Sequence, residues 1–298
     1  MEKGKNGVEK QFDTKVKICF VSRRPLVYCY VLKNRVIMNN FEDSIANLDL
    51  DLFAKISSQT SDHDKQSLLS CQLAVREMVP EYNYLEIGSY LGGSIQPHLL
   101  DPRCRRIYSI DKRPTSQPDE RAIEYVYRDN STARMLENLN LVDNNGIEKI
   151  TTIDGDTRDL APGQVTDTIH ICFIDGEHTD EAVLADFKFC YGLLDKRGAI
   201  LFHDSQITYN GLANCIDYLE QNSVEFHAYS LPNVVFAIEI GDFPMHNHPK
   251  VLERLVDNHH SYLYSLQAVD YYREFTNKVP FRFLRNFISR MRKQNVCP

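Results

Sequence analysis

Residues 84–94 read YLEIGSYLGGS, and this stretch decides the fold. An apolar run passes straight into a turn holding Gly88, Gly92 and Gly93, with an acid at Glu86 and hydroxyls at Ser89 and Ser94. Apolar residues that end in a glycine-rich turn and then enter a helix mark a strand–loop–helix unit of the kind that cradles a nucleotide-like ligand. The spacing argues against two such ligands. A dinucleotide fingerprint is G-x-G-x-x-G, whereas Gly88 is followed by Ser89 and Tyr90, so the second glycine that admits a pyrophosphate is absent. No Gly-Lys-Ser/Thr follows, so the phosphate-binding P-loop pattern fails as well. A tight strand-to-helix turn without a ligand is the plain alternative.

Working outward, the rhythm is strand then helix. Apolar strand candidates are 84–88, 106–111, 148–155, 169–176 and 198–204, with helical stretches at 93–100, 129–140 and 179–194. Alternation of this kind predicts a parallel sheet covered on both faces. Residues 224–240 read as two more strands joined at Leu231-Pro232-Asn233, and strands joined so tightly pair antiparallel. Upstream, 40–80 is read as helical, with Pro80 as its stop. Residues 16–38 suggest two or three short strands, a hairpin added before the main domain.

At 43% hydrophobic and 25% charged residues, the 298-residue chain has ample apolar material for a globular core. No apolar run approaches the length of a membrane span, and the polar N-terminus lacks a signal-peptide core. The eight cysteines form no C-x-x-C pair and sit mostly in apolar runs, which predicts buried thiols in a reducing cytoplasm. A net charge of −7 argues against a general nucleic-acid partner. That charge is uneven: Thr276 to Pro298 holds six basic residues and no acid, leaving −13 elsewhere.

The pattern E-x-G-x-x-x-G-x-S (86–94) resembles motif I of the class I S-adenosylmethionine-dependent methyltransferases, and the resemblance extends over 84–240. It implies a Rossmann-like α/β fold: a seven-stranded sheet, parallel except for an antiparallel last strand, with helices on both faces. It also implies that Glu86, Gly88, Ser89, Gly92 and Ser94 line S-adenosylmethionine. Asp111 ends the second strand about 20 residues beyond the glycine loop, where an acid accepts hydrogen bonds from ribose hydroxyls. TTIDGDTRDL (151–160) resembles the family segment that contacts the adenine, which points to Asp156 and Thr157.

The segment 173–205 resembles a subfamily with F-I-D-G-x-H (173–178) and G-x-x-x-F-H-D (198–204). That group holds small-molecule and sugar O-methyltransferases and cephalosporin-hydroxylase-like relatives. Adjacent strand ends of a doubly wound sheet open into one crevice, so Asp175, His178, His203 and Asp204 are expected to converge. Asp175 is assigned to the cofactor and to catalysis. Two chemistries use this set. Asp175 and Asp204 offer oxygen ligands to Mg²⁺, although His203-Asp204 stands where such relatives carry two adjacent acids. Alternatively His178 or His203 acts as a general base for an in-line methyl transfer.

His246, His248, His259 and His260 lack the i, i+4 spacing of helical metal ligands and are read as surface or hinge histidines. Residues 279–294 form a basic amphipathic pattern. It is expected to dock on the acidic domain or a second copy, with an anionic membrane surface as the alternative. The expected domains are a β/helical extension (1–75), a cofactor-binding methyltransferase domain (76–242) and a C-terminal helical appendage (243–298). The expected function is S-adenosylmethionine-dependent O-methylation of a sugar or other small molecule in the cytoplasm. An iron-dependent hydroxylase-like enzyme and a non-catalytic scaffold on the same fold are the alternatives. The acceptor pocket has no readable motif, so N- or C-methylation stays open.

Overall fold

The computed structural model describes residues 41–121, 125–161, 163–278, 280, 281, 283 and 284. The chain divides into two units, 1–40 and 41–298. The expected hairpin at 16–38, most of the basic tail, and Cys19, Cys29 and Cys297 lie outside the described residues.

After a short 3₁₀ turn at Leu50–Phe53, helix α1 spans Asp62–Met78. Ser61 caps it, and Asp64 closes a capping box by accepting from the Ser61 backbone. The helix stops at Val79, ahead of Pro80. Then follow β1 (Tyr82–Ile87), α2 (Gln96–Leu100), β2 (Cys104–Asp111), α3 (Thr132–Val142), β3 (Ile150–Asp154), β4 (Ile169–Ile174), α4 (Asp180–Leu193) and β5 (Leu194–Phe202). The remainder is α5 (Tyr209–Gln221), β6 (Phe226–Ser230), β7 (Phe236–Ile240), α6 (Pro249–Leu252), β8 (Asp257–Asn258) and α7 (His259–Asn277). A two-residue ribbon, Ser116–Gln117 with Tyr125–Val126, lies between β2 and α3.

The sheet order is β8-β6-β7-β5-β4-β1-β2-β3. Strands β3, β2, β1, β4 and β5 run parallel, and β7 inserts antiparallel between β5 and β6. The expected Rossmann-like α/β fold is therefore present, with one correction. The sheet has eight strands rather than seven, because Asp257 and Asn258 pair antiparallel with Ser230 and Tyr229 at the open edge of β6. Two residues carry no alternation pattern, so this edge strand has no signature in the sequence.

Two further expectations change. The helix expected at 93–100 shortens to Gln96–Leu100, because Gly92 holds a positive φ of 86° and the turn continues past it. Helix α5 was not anticipated, yet Leu212, Cys215, Ile216 and Leu219 recur at helical spacing and are all buried.

Strand alternation sends successive side chains to opposite faces. Tyr84, Ile171 and Phe173 join Leu69, Leu99 and Met135 of α1–α3 in one core. Leu85, Cys172 and Ile174 join Phe187, Leu212 and Leu219 of α4 and α5 in the other. Both faces of the sheet are thus covered, which leaves the carboxyl ends of β1, β2, β4 and β5 as the place where polar residues gather. Among the described residues, no helix is long and apolar enough to cross a membrane.

Candidate active site

Gly88 follows β1 with φ 87°, and a Cβ there would lie 2.1 Å from the carbonyl oxygen of Asp175. The glycine is dictated by the loop after β4 as much as by any ligand: its amide donates to Ile110, while the Asp175 amide donates to Ile87. Three strand ends are thereby tied together. Behind them Glu86 is fully buried and accepts from Tyr84 and Ser94 hydroxyls, each at 2.5 Å. Burial pushes its carboxyl up to about 7, although both hydroxyls oppose this. Ser89 is also buried, with its Oγ 2.5 Å from that of Ser109. Gly92 packs on Leu139. Of the glycine-loop set, Gly88, Ser89 and Ser94 face the cleft; Glu86 reaches it only through Ser94.

Asp111 ends β2 and accepts from the Tyr90 amide at 2.9 Å and the Arg113 amide at 2.7 Å. It lines a narrow recess with Asp156, Thr157 and Gly176. Asp156 pairs with Arg158 at 2.6 Å and Lys112 at 3.2 Å, and Arg158 foremost holds its carboxyl well below the usual range. The Thr157 hydroxyl donates to Asp186, whose carboxyl burial pushes up to about 7. The three expected nucleoside contacts therefore share one recess, and Gly88 lines both it and a larger cleft.

That cleft, about 160 Å³, holds the four strand-end residues. Nδ1 of His203 lies 3.2 Å from Asp175 and 3.1 Å from Asp204. Nε2 of His203 is buried without a hydrogen bond, 3.6 Å from Asp64. Nδ1 of His178 lies 3.2 Å from Asp119, and its Nε2 is 3.1 Å from Asp204. Burial opposes charge on both imidazoles, but the surrounding carboxylates overrule it. Asp175, Asp204 and Asp64 raise His203 well above its ordinary value, and Asp204, Asp175 and Asp119 raise His178. Asp204 is correspondingly held far below the usual carboxylate range, against its burial, by His178 and His203. Its backbone sits at φ 49°, a left-handed conformation that aspartate tolerates.

The structure thus unites Asp175, His178, His203 and Asp204, and adds two acids that sequence reading missed. Asp64 was legible as a helix cap in Ser61-x-x-Asp64, but its approach to His203 is tertiary. Asp119 lies in an irregular stretch whose backbone bridges to His178, a pairing with no local signal. Chemically the cluster holds two imidazoles flanked by acids, and the surrounding carboxylates favour the protonated form of each against its burial. Ligand atoms of Asp175, His178 and Asp204 also lie within 4.8 Å of one another. Two carboxylates and one imidazole suit a divalent cation, with the difference that Nδ1 of His203 already sits between the two acids.

Residues 85–205 match a family model described as a methyltransferase domain. No curated protein matches the chain by sequence. Among solved structures, the chain is similar to the O-methyltransferase NovP, at 16% identity over 59% of this chain and 80% of that one, with a TM-score of 0.47. It is similar to the calicheamicin methyltransferase CalS11 at 17% identity over 77% and 100%, TM-score 0.46. The O-methyltransferase TomG from Streptomyces achromogenes, solved with S-adenosylmethionine, matches at 14% identity over 66% and 88%, TM-score 0.44.

Proposed function

We propose, from the match of residues 85–205 to a methyltransferase domain, that this chain moves the methyl group of S-adenosylmethionine onto a hydroxyl of a small polyhydroxylated molecule. The observation that carries this reading is the meeting of Asp175, His178, His203 and Asp204 in a cleft bounded by the glycine loop. S-adenosylmethionine, when bound, supplies an electrophilic methyl on a sulfonium. In this reading Asp111 takes the ribose hydroxyls, Asp156 and Thr157 the adenine, and Gly88, Ser89, Gly92, Ser94 and Asp175 the methionine end, with Glu86 holding Ser94.

In the acceptor cleft, Ser57, Ser58, Thr60 and Tyr127 add hydroxyls that suit a sugar-like ligand. His178 in its neutral form keeps its proton on Nδ1, directed at Asp119, and leaves the Nε2 lone pair open. The acceptor hydroxyl takes the place of Asp204 at Nε2, and its proton passes there as the oxygen gains the methyl group. His203 stays protonated and fixes Asp175 and Asp204 in position. In this reading 76–242 is the catalytic domain, 1–75 an extension and 243–298 an appendage. Buried free thiols at all five described cysteines favour a reducing compartment such as the cytoplasm.

A divalent cation such as Mg²⁺ is the second reading, favoured by the closeness of Asp175, His178 and Asp204. It would lower the pKa of the acceptor hydroxyl. The test is titration with S-adenosylmethionine and S-adenosylhomocysteine, followed by transfer of labelled methyl to a panel of sugars and phenols with and without EDTA. Binding of both nucleosides with EDTA-insensitive transfer supports the histidine route. Transfer that stops with EDTA and returns with Mg²⁺ selects the cation. Failure to bind either nucleoside sinks the methyltransferase reading.

A further inference from the structure

Glu220, His259 and His260 bring their ligand atoms within 4.8 Å of one another at the edge of the sheet, far in sequence from the strand-end cluster. The two adjacent histidines carry no metal signature alone, because the third partner comes from another helix. Glu220 lies in the last turn of α5, His259 and His260 open α7, and the two helices pack together.

The state of His259 is what makes this arrangement more than a chance grouping. Its Nδ1 lies 3.1 Å from the carbonyl oxygen of Ala228. A carbonyl only accepts, so Nδ1 carries the proton and Nε2 is left as a bare lone pair. That Nε2 is buried and has no hydrogen-bond partner. An imidazole with one nitrogen pinned to a backbone carbonyl and the other lacking a donor is the arrangement found at metal-bound histidines. Asn258 caps α7, and the partial positive charge of that helix start disfavours a cation. The carboxylate of Glu220 and the C-terminal end of α5 offset it.

We propose that Glu220, His259 and His260 bind Zn²⁺. Two imidazole nitrogens and one carboxylate oxygen are a borderline set that suits zinc over Mg²⁺ or Ca²⁺, with water completing the shell. The ion joins the end of α5 to the start of α7. It thereby holds Asp257–Asn258, the edge strand immediately before α7, against β6. The role is structural and independent of the proposed methyl transfer.

The experiment is calorimetric titration of Zn²⁺ into metal-free full-length protein carrying Asp204→Asn, which weakens the strand-end cluster as a competing site. One Zn²⁺ is expected to bind and to raise the melting temperature. His260→Ala and Glu220→Gln, both changes at exposed residues, are each expected to weaken binding by about 10–100-fold or more. They should also remove the thermal shift, with the circular dichroism spectrum unchanged. Cobalt substitution adds a spectroscopic readout, since visible absorption reports nitrogen ligation and should vanish in His260→Ala. Absence of Zn²⁺ binding in the Asp204→Asn protein overturns the proposal. So does binding that survives both His260→Ala and Glu220→Gln.

Discussion

Asp64, in the first turn of α1, and His203, just past the end of β5, stand 3.6 Å apart as a buried ion pair. The same carboxylate accepts from the Asn233 side chain at 2.8 Å and the Val234 amide at 3.3 Å. A residue that caps a helix therefore also ties the β6–β7 turn to the candidate active site.

This pair makes stability depend on acid pH. Burial alone would raise Asp64, but His203, Ser61 and Asn233 overcome it and hold the carboxyl at about 2, below an unfolded value of about 3.9. A depressed carboxylate contributes fully above its unfolded pKa, and the contribution is lost as pH falls through the folded one. Asp64→Asn is expected to cost on the order of 2 kcal/mol at pH 7, with the gap to wild type closing between about pH 4 and pH 2. Urea unfolding across that range measures it; a gap that stays constant contradicts the ion-pair account.

For His178, the raised proton affinity sets a direction for the rate profile. A base works deprotonated, so kcat/KM should rise with pH through a midpoint above the ordinary histidine value of about 6.5. His178→Ala should lower kcat by about 10²–10⁴-fold. Asp119→Asn removes one of the acids that favour the charged ring, so its midpoint should move to lower pH. A midpoint unmoved in Asp119→Asn assigns the profile to another group.

Asp111 offers its carboxylate beside the recess while also holding the glycine loop through Tyr90. Removing a charged hydrogen-bonding group costs about 1.5–3 kcal/mol. Asp111→Ala is therefore expected to weaken S-adenosylhomocysteine by about 10–100-fold in calorimetry. Asp111→Asn, which keeps the shape, should melt near wild type and still bind weakly. Unchanged affinity in both variants moves the ribose contact elsewhere.

Gly88→Ala combines a positive φ with a contact that no methyl group survives, 2.1 Å from the Asp175 carbonyl. The left-handed backbone alone costs about 1–2 kcal/mol, and the loop after β4 must also shift. A lowered melting temperature together with loss of nucleoside binding is expected. Gly163→Ala shares the positive φ but meets nothing within 4 Å, so it should show the backbone cost alone.

Because the carboxylates around His203 favour its charged form between Asp175 and Asp204, methyl transfer is expected to continue in EDTA. His203→Gln, which removes that charge, should slow transfer and create a dependence on added Mg²⁺. Transfer by the His203→Gln protein that ignores Mg²⁺ counts against both carboxylates as ligands.

Much of this was legible along the chain. The order of elements, the glycine turn, the antiparallel hairpin and the strand-end residues Asp175, His178, His203 and Asp204 follow from patterns shorter than about thirty residues. Local pattern suffices there because alternation and turn chemistry fix a strand and its end, and parallel strands of a doubly wound sheet bring their ends together. The same logic did not reach α5, whose helical period went unread, or β8, whose two residues carry no period.

What the sequence by itself determined is the class of fold and the crevice where Asp175, His178, His203 and Asp204 meet. Only the tertiary structure decided which charged groups surround each imidazole in that crevice. Asp64 and Asp119 come from a helix cap and an irregular stretch, and their effect on His203 and His178 arises from proximity in a buried, poorly solvated space. Electrostatic energy there depends on distances between segments remote in sequence, which no local pattern encodes. The grouping of Glu220 with His259 and His260 has the same origin, since it exists only where α5 and α7 meet.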